Sequence, residues 1–166
     1  MCRISFWLAI LTTLLLTACA STEGNYYKAA ESASHRQPTL VGSKVVQMDP
    51  YAVQTAYAAR IDGELVSTGK KGVLKPLKLS PGEHEIIAIW NQDSLYGRAV
   101  FTLQARPGAR YVIVHERIDN NMVRIWIEDD AAHLPVSEPQ IVKAADPMAL
   151  GPNALSPLYM HLFRLR

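Results

Sequence analysis

Residues 80–90 read SPGEHEIIAIW, and this stretch decides the fold. Ser80-Pro81-Gly82-Glu83 has the composition of a tight turn, because proline presets φ at the second position and glycine supplies positive φ at the third. The segment His84–Trp90 that follows is almost continuously apolar, which is typical of a central strand covered on both faces. We therefore expect a sheet with this strand near its middle and protein on each side of it.

Before this strand, the sequence predicts a hairpin and an edge strand. The alternation from Thr55 to Ile61 predicts a strand with Thr55, Tyr57, Ala59 and Ile61 on one face. Asp62-Gly63 then predicts a hairpin, because type I′ turns need positive φ at both central residues. A further strand is expected from Val73 to Leu79, at a sheet edge, since Pro76 has no N–H to donate.

After this strand, the sequence predicts a loop at Asn91–Gly97, a turn at Arg106-Pro107-Gly108-Ala109 and more strands around them. Near the end of this region, Val123, Ile125 and Ile127 alternate with Arg124, Trp126 and Glu128, which predicts one core face and one solvated face. Seven or eight strands without a long helix indicate an all-β fold. We expect a single small β-sandwich, immunoglobulin-like or transthyretin-like, over residues 43–143.

Two short segments resemble a known family of β-sandwiches. Residues 60–66 read RIDGELV and residues 77–86 read LKLSPGEHEI. Together they resemble the DG…L.PG.H.I pattern of PEGA-type and related carboxypeptidase-regulatory-like domains. The resemblance covers about 30 of the 166 residues and implies a small β-domain of the kind found on surface or envelope proteins.

The amino-terminal segment predicts a membrane anchor. Ile4–Leu16 is a run of 13 mostly apolar residues, too short to cross a bilayer but suited to a signal-peptide core. Leu16-Thr17-Ala18-Cys19 resembles the lipobox of bacterial lipoproteins. The resemblance implies removal of residues 1–18, a diacylglycerol thioether on Cys19 and acylation of the new amino terminus. An ordinary secretory signal and an uncleaved buried helix are the alternatives.

The residue after the anchor bears on localisation. In the enterobacterial sorting pattern that this segment resembles, an aspartate at that place retains a lipoprotein at the inner membrane, whereas this chain has Ala20. The resemblance therefore implies the outer membrane of a Gram-negative bacterium, with the domain facing the periplasm.

Composition excludes several classes of function. The mature chain of 148 residues is near neutral and has no basic stripe interleaved with aromatic residues, so nucleic acid is not an expected partner. Cys2 leaves with the signal peptide and Cys19 is the lipid site, so no thiol remains for a disulfide, a nucleophile or a metal. Residues 19–42 are polar and predict a lipidated tether, and residues 144–166 form a proline-rich carboxyl-terminal segment.

The clusters of acidic residues and histidines do not match the patterns of known metal or catalytic sites. Glu83-His84-Glu85 lies on a predicted strand, so its side chains alternate and do not converge on one ion. Glu128-Asp129-Asp130, with His133 nearby, lacks the spacing of a calcium loop and is interpreted as a solvated turn. Neither a Gly-x-Ser-x-Gly elbow nor a phosphate-binding glycine loop occurs. We therefore expect no enzyme activity, no cofactor and no metal.

The sequence thus predicts a lipid-anchored envelope protein that acts by binding or as a structural or assembly component. Its partners would be the membrane, through the lipid, and an envelope protein or glycan. The residues proposed for a contact surface are Trp126, Asp129, Asp130 and His133. A periplasmic ligand-binding or hydrolase-inhibitor module is the alternative, and a hydrolase is a minor one.

Overall fold

The computed structural model describes residues 26–29, 36–46 and 53–146. These residues form eleven strands and one short 3-10 helix, Gly69–Gly72. The strands are β1 (Thr39–Val41), β2 (Ser43–Val46), β3 (Val53–Ile61), β4 (Glu64–Leu65), β5 (Leu77–Lys78), β6 (Gly82–Gln92), β7 (Leu95–Ala105), β8 (Arg110–Arg117), β9 (Met122–Asp129), β10 (Leu134–Pro135) and β11 (Gln140–Lys143).

The strands form two sheets. In the six-stranded sheet the order is β9-β8-β1-β5, and β10 and β11 both pair with the free side of β9. In the five-stranded sheet the order is β3-β6-β7, and β2 and β4 both pair with β3. All pairs are antiparallel except β1 with β8. The prediction of an all-β sandwich is confirmed, although four of the eleven strands have three residues or fewer.

The main core lies between the sheets. The strand alternation of β6 places Ile86, Ala88 and Trp90 in it, and all three side chains are fully buried. The opposite face of β6 is buried as well, because Ile89 packs with Tyr57 in a smaller second cluster. The prediction that this strand is covered on both faces is therefore confirmed.

The prediction that Thr55, Tyr57, Ala59 and Ile61 all lie on one face of β3 is wrong for Ile61, at the carboxyl-terminal end of the strand. Ala58 pairs with Ala88 and Arg60 with Ile87, so Ala59 is an extra residue in the ladder. Such a bulge shifts the side-chain alternation by one position. As a result Ile61 lies in the main core, whereas Tyr57 and Ala59 belong to the second cluster on the other face.

Most of the predicted turns are confirmed by their backbone angles. Asp62 and Gly63 have φ of 52° and 80°, the two positive values that a type I′ hairpin requires. Gly82 and Gly108 also have positive φ, 128° and 77°. The loop predicted at Asn91–Gly97 is wrong, because β6 and β7 continue through those residues and only Asp93 and Ser94 connect them.

The strand predicted at Val73–Leu79 is shorter than expected. Only Leu77–Lys78 pairs, with β1, and it lies at the end of the six-stranded sheet. The edge position inferred from Pro76 is confirmed. The residues before it form the 3-10 helix, and Val73 is buried against the second cluster instead of joining a sheet.

The folded region begins earlier than the predicted boundary at residue 43. Strand β1 lies within the segment predicted as tether, and Leu40 is fully buried in the core. The chain crosses from one sheet to the other at Gly42, where an added Cβ would lie 2.3 Å from the carbonyl oxygen of Ala56. Only glycine allows this close approach. At the other end, Ala144 is buried and Ala145 forms a β-bridge with Tyr96, and residues 147–166 lie outside the described residues.

The two sides of the sandwich are closed differently. On the β7–β11 edge, the side-chain amide of Gln140 accepts from the Val100 N–H at 3.3 Å and donates to the Val100 carbonyl, as another strand would. On the β4–β5 edge, the segment of residues 66–76 crosses from one sheet to the other, and the Val73 carbonyl accepts from the Gly42 N–H at 2.8 Å.

Candidate contact surface

The outer face of the six-stranded sheet carries Trp126. Val123, Ile125 and Ile127 of β9 are fully buried in the core, while Trp126 is half-buried on the opposite face. The sequence prediction of its orientation is therefore confirmed. Val114 of β8 is its cross-strand partner and shares that face.

The neighbours of Trp126 are apolar residues with a charged margin. Val112 and Val114 are half-buried, and Ile141 of β11 is 55% exposed and in register with Arg124. We call this region the Trp126 surface, and it comprises Val112, Val114, Glu116, Arg124, Trp126, Glu128 and Ile141.

Hydrogen bonds hold the polar groups of the Trp126 surface in place. The indole Nε1 of Trp126 donates to Glu128 Oε1 at 2.7 Å, which orients the ring along its own strand. Arg124 Nη1 donates to Glu116 Oε2 at 2.8 Å across the β8–β9 pair. Exposed pairs of this kind contribute little stability. The apolar centre of the surface is therefore bordered by both negatively and positively charged side chains.

Asp129 does not join this surface. It lies on the other side of β9 from Trp126, where its Oδ2 accepts from Arg106 Nη2 at 2.6 Å. Its Oδ1 accepts from the N–H groups of Ala131 and Ala132 at 3.0 and 3.2 Å. These backbone hydrogen bonds, together with Arg106, lower the pKa of Asp129. Its carboxylate is therefore engaged in forming the turn that follows β9.

Asp130 and His133 belong to the same turn. Asp130 pairs with Arg110 at 3.2 Å, and its N–H donates to the Arg110 carbonyl. His133 is exposed, with φ of 52°, and its N–H donates to the Asp129 carbonyl at 2.8 Å. The structure thus groups Asp129, Asp130 and His133 in one turn and separates the Asp129 side chain from the face of Trp126.

Sequence reasoning missed the residues of this surface that lie on β8 and β11, which are Val112, Val114, Glu116 and Ile141. Residues 111–114 read YVIV, so the sequence has no alternation to show that Val114 faces outward, although the structure buries Ile113 and His115 on either side of it. Ile141 had no such signal either, because Gln140–Lys143 is too short to show a period. Its place beside Trp126 depends on the long-range pairing of β11 with β9.

The histidines within strands have structural partners. The alternation predicted for Glu83-His84-Glu85 is confirmed, with His84 buried and both glutamates exposed. His84 Nδ1 lies 2.6 Å from Asp62 Oδ2, and its Nε2 lies 2.8 Å from the Ser80 carbonyl oxygen. His115 Nδ1 lies 2.8 Å from Ser43 Oγ, and burial lowers the pKa of His115 to about 4.

Within the described ranges, no three His, Cys, Asp or Glu side chains are grouped closely enough to hold a metal ion. The same residues include no helix of the length and apolar character needed to cross a bilayer. Cys19 and the rest of the predicted anchor lie outside the described residues.

The fold defines this chain as a small β-sandwich protein. Comparison with known protein families, with curated proteins and with solved structures finds no match.

Proposed function

We propose that this chain is a lipid-anchored protein of the bacterial outer membrane that works by contact with another envelope component, through the Trp126 surface. The anchor rests on the apolar run Ile4–Leu16 and on Leu16-Thr17-Ala18-Cys19 directly after it. After removal of residues 1–18, two or three acyl chains at Cys19 hold a protein stably on a membrane, where a single chain holds it only marginally.

The observation that carries the contact role is the Trp126 surface itself. Tryptophan is enriched among residues that dominate binding energy, because it buries a large area and offers one N–H. Here the ring is half-buried and shares the outer face of the six-stranded sheet with Ile141, which is 55% exposed. An apolar centre with charged margins is the usual composition of a protein contact. The partner we propose is an envelope protein, and a glycan is the second choice.

The anchor is tested by Cys19→Ala in cells that produce the full chain. We expect the wild-type protein in the outer-membrane fraction and the variant in soluble or unprocessed form, because no thioether can form. Ser21→Ala is the matched control and should stay in the membrane fraction. Retention of Cys19→Ala in the mature, membrane-bound form would refute the lipoprotein assignment.

The contact surface is tested by photo-crosslinking in living cells. A photoreactive residue at Ile141 should give a discrete crosslinked product, while the same residue at Thr102, exposed on the five-stranded sheet, should not. Adding Trp126→Ala should strongly reduce the Ile141 product, since loss of a central tryptophan weakens binding by about 2 kcal/mol, roughly thirtyfold. Equal products from both positions, or none from Ile141, would count against this surface.

A further inference from the structure

The segment that connects β4 to β5 concentrates positive charge. Between Glu64 and Glu83 the chain contains no acidic residue, and four of its seven lysines lie within residues 70–78. All four lysines are exposed. Leu74, which lies between Lys71 and Lys75 in the chain, is 60% exposed. We call these residues the lysine edge, and they are Lys70, Lys71, Leu74, Lys75 and Lys78.

The charge of the lysine edge is not neutralised by neighbours. Among the described residues, none of these four lysines forms a salt bridge. Of the acids that flank this segment in sequence, Asp62 accepts from the Glu85 N–H and lies against His84, and Glu83 accepts from Gln104. Glu64, the acid that directly precedes the segment, forms no salt bridge with these lysines. The lysine edge therefore places four positive charges on one side of a mature chain that is near neutral overall.

The fold holds this segment against the sandwich. Val73 is buried beside Tyr57 and Ile89, and its carbonyl accepts from the Gly42 N–H at 2.8 Å. The Gly72 N–H donates to the Thr68 carbonyl at 3.0 Å within the 3-10 helix. A fixed backbone loses less conformational freedom on binding than a free loop would.

The same edge receives the chain that comes from the proposed anchor. The Tyr27 N–H donates to the Leu65 carbonyl at 2.8 Å, and the Tyr27 ring meets the His84 ring edge-on, with centroids 6.3 Å apart. Tyr26 forms a β-bridge with Leu65. Leu65, the last residue of strand β4, lies five residues before Lys70. The amino-terminal segment therefore joins the domain close to the start of the lysine edge.

The chain between Cys19 and Tyr26 sets a limit on distance. Seven residue steps separate them, and even a fully extended chain of that length spans at most about 25 Å. A lipid on Cys19 would thus keep the β4–β5 edge near the bilayer. Lysines act on an anionic surface only within about a Debye length, about 10 Å at 0.1 M salt. The short connection allows the lysine edge to come within that range.

We propose that the lysine edge docks the domain on the anionic phospholipid headgroups of the bilayer that carries its anchor. Leu74 would enter the headgroup region while the lysine ammonium groups bind phosphate oxygens. This docking would fix the orientation of the sandwich and leave the Trp126 surface free for its partner, because β1 separates β5 of the lysine edge from β8 and β9 of that surface. The inference rests on the proposed lipid anchor at Cys19.

The test uses the mature chain, residues 19–166, carrying Cys19→Ser so that no lipid contributes. We expect it to sediment with vesicles of mixed phosphatidylcholine and phosphatidylglycerol, weakly and less so at high salt, and not with phosphatidylcholine alone. Lys70→Gln with Lys71→Gln should weaken binding about 25-fold, at roughly fivefold per lysine near the surface. The matched control, Arg98→Gln with Lys143→Gln, removes equal charge from exposed residues on the β7–β11 edge and should change binding little.

A second readout reports which part of the domain meets the lipid. Ser67→Cys and Ser94→Cys, both at exposed positions, each take a polarity-sensitive dye in the same Cys19→Ser chain. We expect the mixed vesicles to shift the emission of the Ser67→Cys label, near the lysine edge, and not that of the Ser94→Cys label in the β6–β7 turn. An equal effect of both double variants, or a larger shift at Ser94→Cys, would overturn the proposal.

The outcomes separate this proposal from the anchor on which it rests. Failure of the anchor appears as retention of Cys19→Ala in the mature, membrane-bound form in cells, whatever the vesicles show. Failure of the lysine edge appears as no binding of the unlipidated chain to the mixed vesicles, even where Cys19→Ala is released from membranes. Binding that is equal on neutral and anionic vesicles would also refute it.

Discussion

At the scale of the residue, His115 couples the fold to pH. It is 7% exposed, its Nδ1 meets Ser43 Oγ, and burial lowers its pKa to about 4. An unfolded histidine titrates near about 6.5. Between these two values the unfolded chain binds more protons at this residue than the folded chain does. Its contribution therefore makes the free energy of unfolding decrease as pH falls through that window.

We predict that His115→Gln reduces this loss of stability. Glutamine keeps a polar partner for Ser43 and does not titrate. Between about pH 7 and pH 4 the free energy of unfolding of the wild-type chain should fall by up to about 3 kcal/mol more than that of the variant, because the pKa of His115 is about 4 in the folded chain and about 6.5 in the unfolded chain. Urea denaturation at several pH values measures it. His133→Gln, an exposed histidine, is the control. Identical pH profiles of wild type and His115→Gln would contradict the prediction.

At the scale of the element, the side of β7 that does not pair with β6 is covered at two places, by the Gln140 side chain and by a β-bridge. The amide of Gln140 pairs with both backbone groups of Val100, and the Tyr96–Ala145 bridge continues the closure. An unpaired strand edge is a template for association with another chain. Gln140 therefore links the two sheets and also blocks part of this edge.

We predict that Gln140→Met destabilises the β7–β11 edge. Methionine has a similar shape but cannot replace either hydrogen bond, and each bond lost at a partly buried site costs about 1 kcal/mol. The free energy of unfolding should fall by about 1–2 kcal/mol, and hydrogen exchange at the Val100 amide should accelerate. Gln104→Met, which removes only an exposed contact with Glu83, should have little effect. Unchanged exchange at Val100 would show that Gln140 does not hold this edge.

At the scale of the whole molecule, β1 and β2 join the two sheets through one residue. The chain leaves the six-stranded sheet at Val41, turns at Gly42 and enters the five-stranded sheet at Ser43. Strand β1 lies between β5 and β8, so its removal would leave β5 without a strand partner and one side of β8 unpaired. It would also remove Leu40, which is fully buried, from the core.

We predict that the domain requires these residues. A chain that begins at Ser43, the boundary that the sequence suggests, should fail to show a cooperative thermal transition. A chain that begins at Tyr26 should melt near the temperature of the mature chain, since it keeps β1 and the Tyr27 contact with Leu65. Truncating Leu40 alone, as Leu40→Ala, should cost about 2–5 kcal/mol. A cooperative transition in the chain from Ser43 would refute this requirement.

The sequence by itself determined the local features. It predicted the turns at Asp62-Gly63, Gly82 and Gly108, the strand that is buried on both faces, the edge position next to Pro76 and the outward side of Trp126. These follow from steric limits on φ, from the missing N–H of proline and from the two-residue period of a strand, all of which act within a few residues. The predicted anchor at Cys19 is of the same local kind.

Only the tertiary structure decided which distant segments meet. The bulge at Ala59, the pairing of β11 beside Trp126 and the entry of Thr39–Val41 into a sheet depend on partners far away in the chain. Short segments such as Gln140–Lys143 carry too few residues for a period, and their pairing is set by the whole sheet. The lysine edge shows both effects: its charges are visible in the sequence, but their place beside Tyr27 is not.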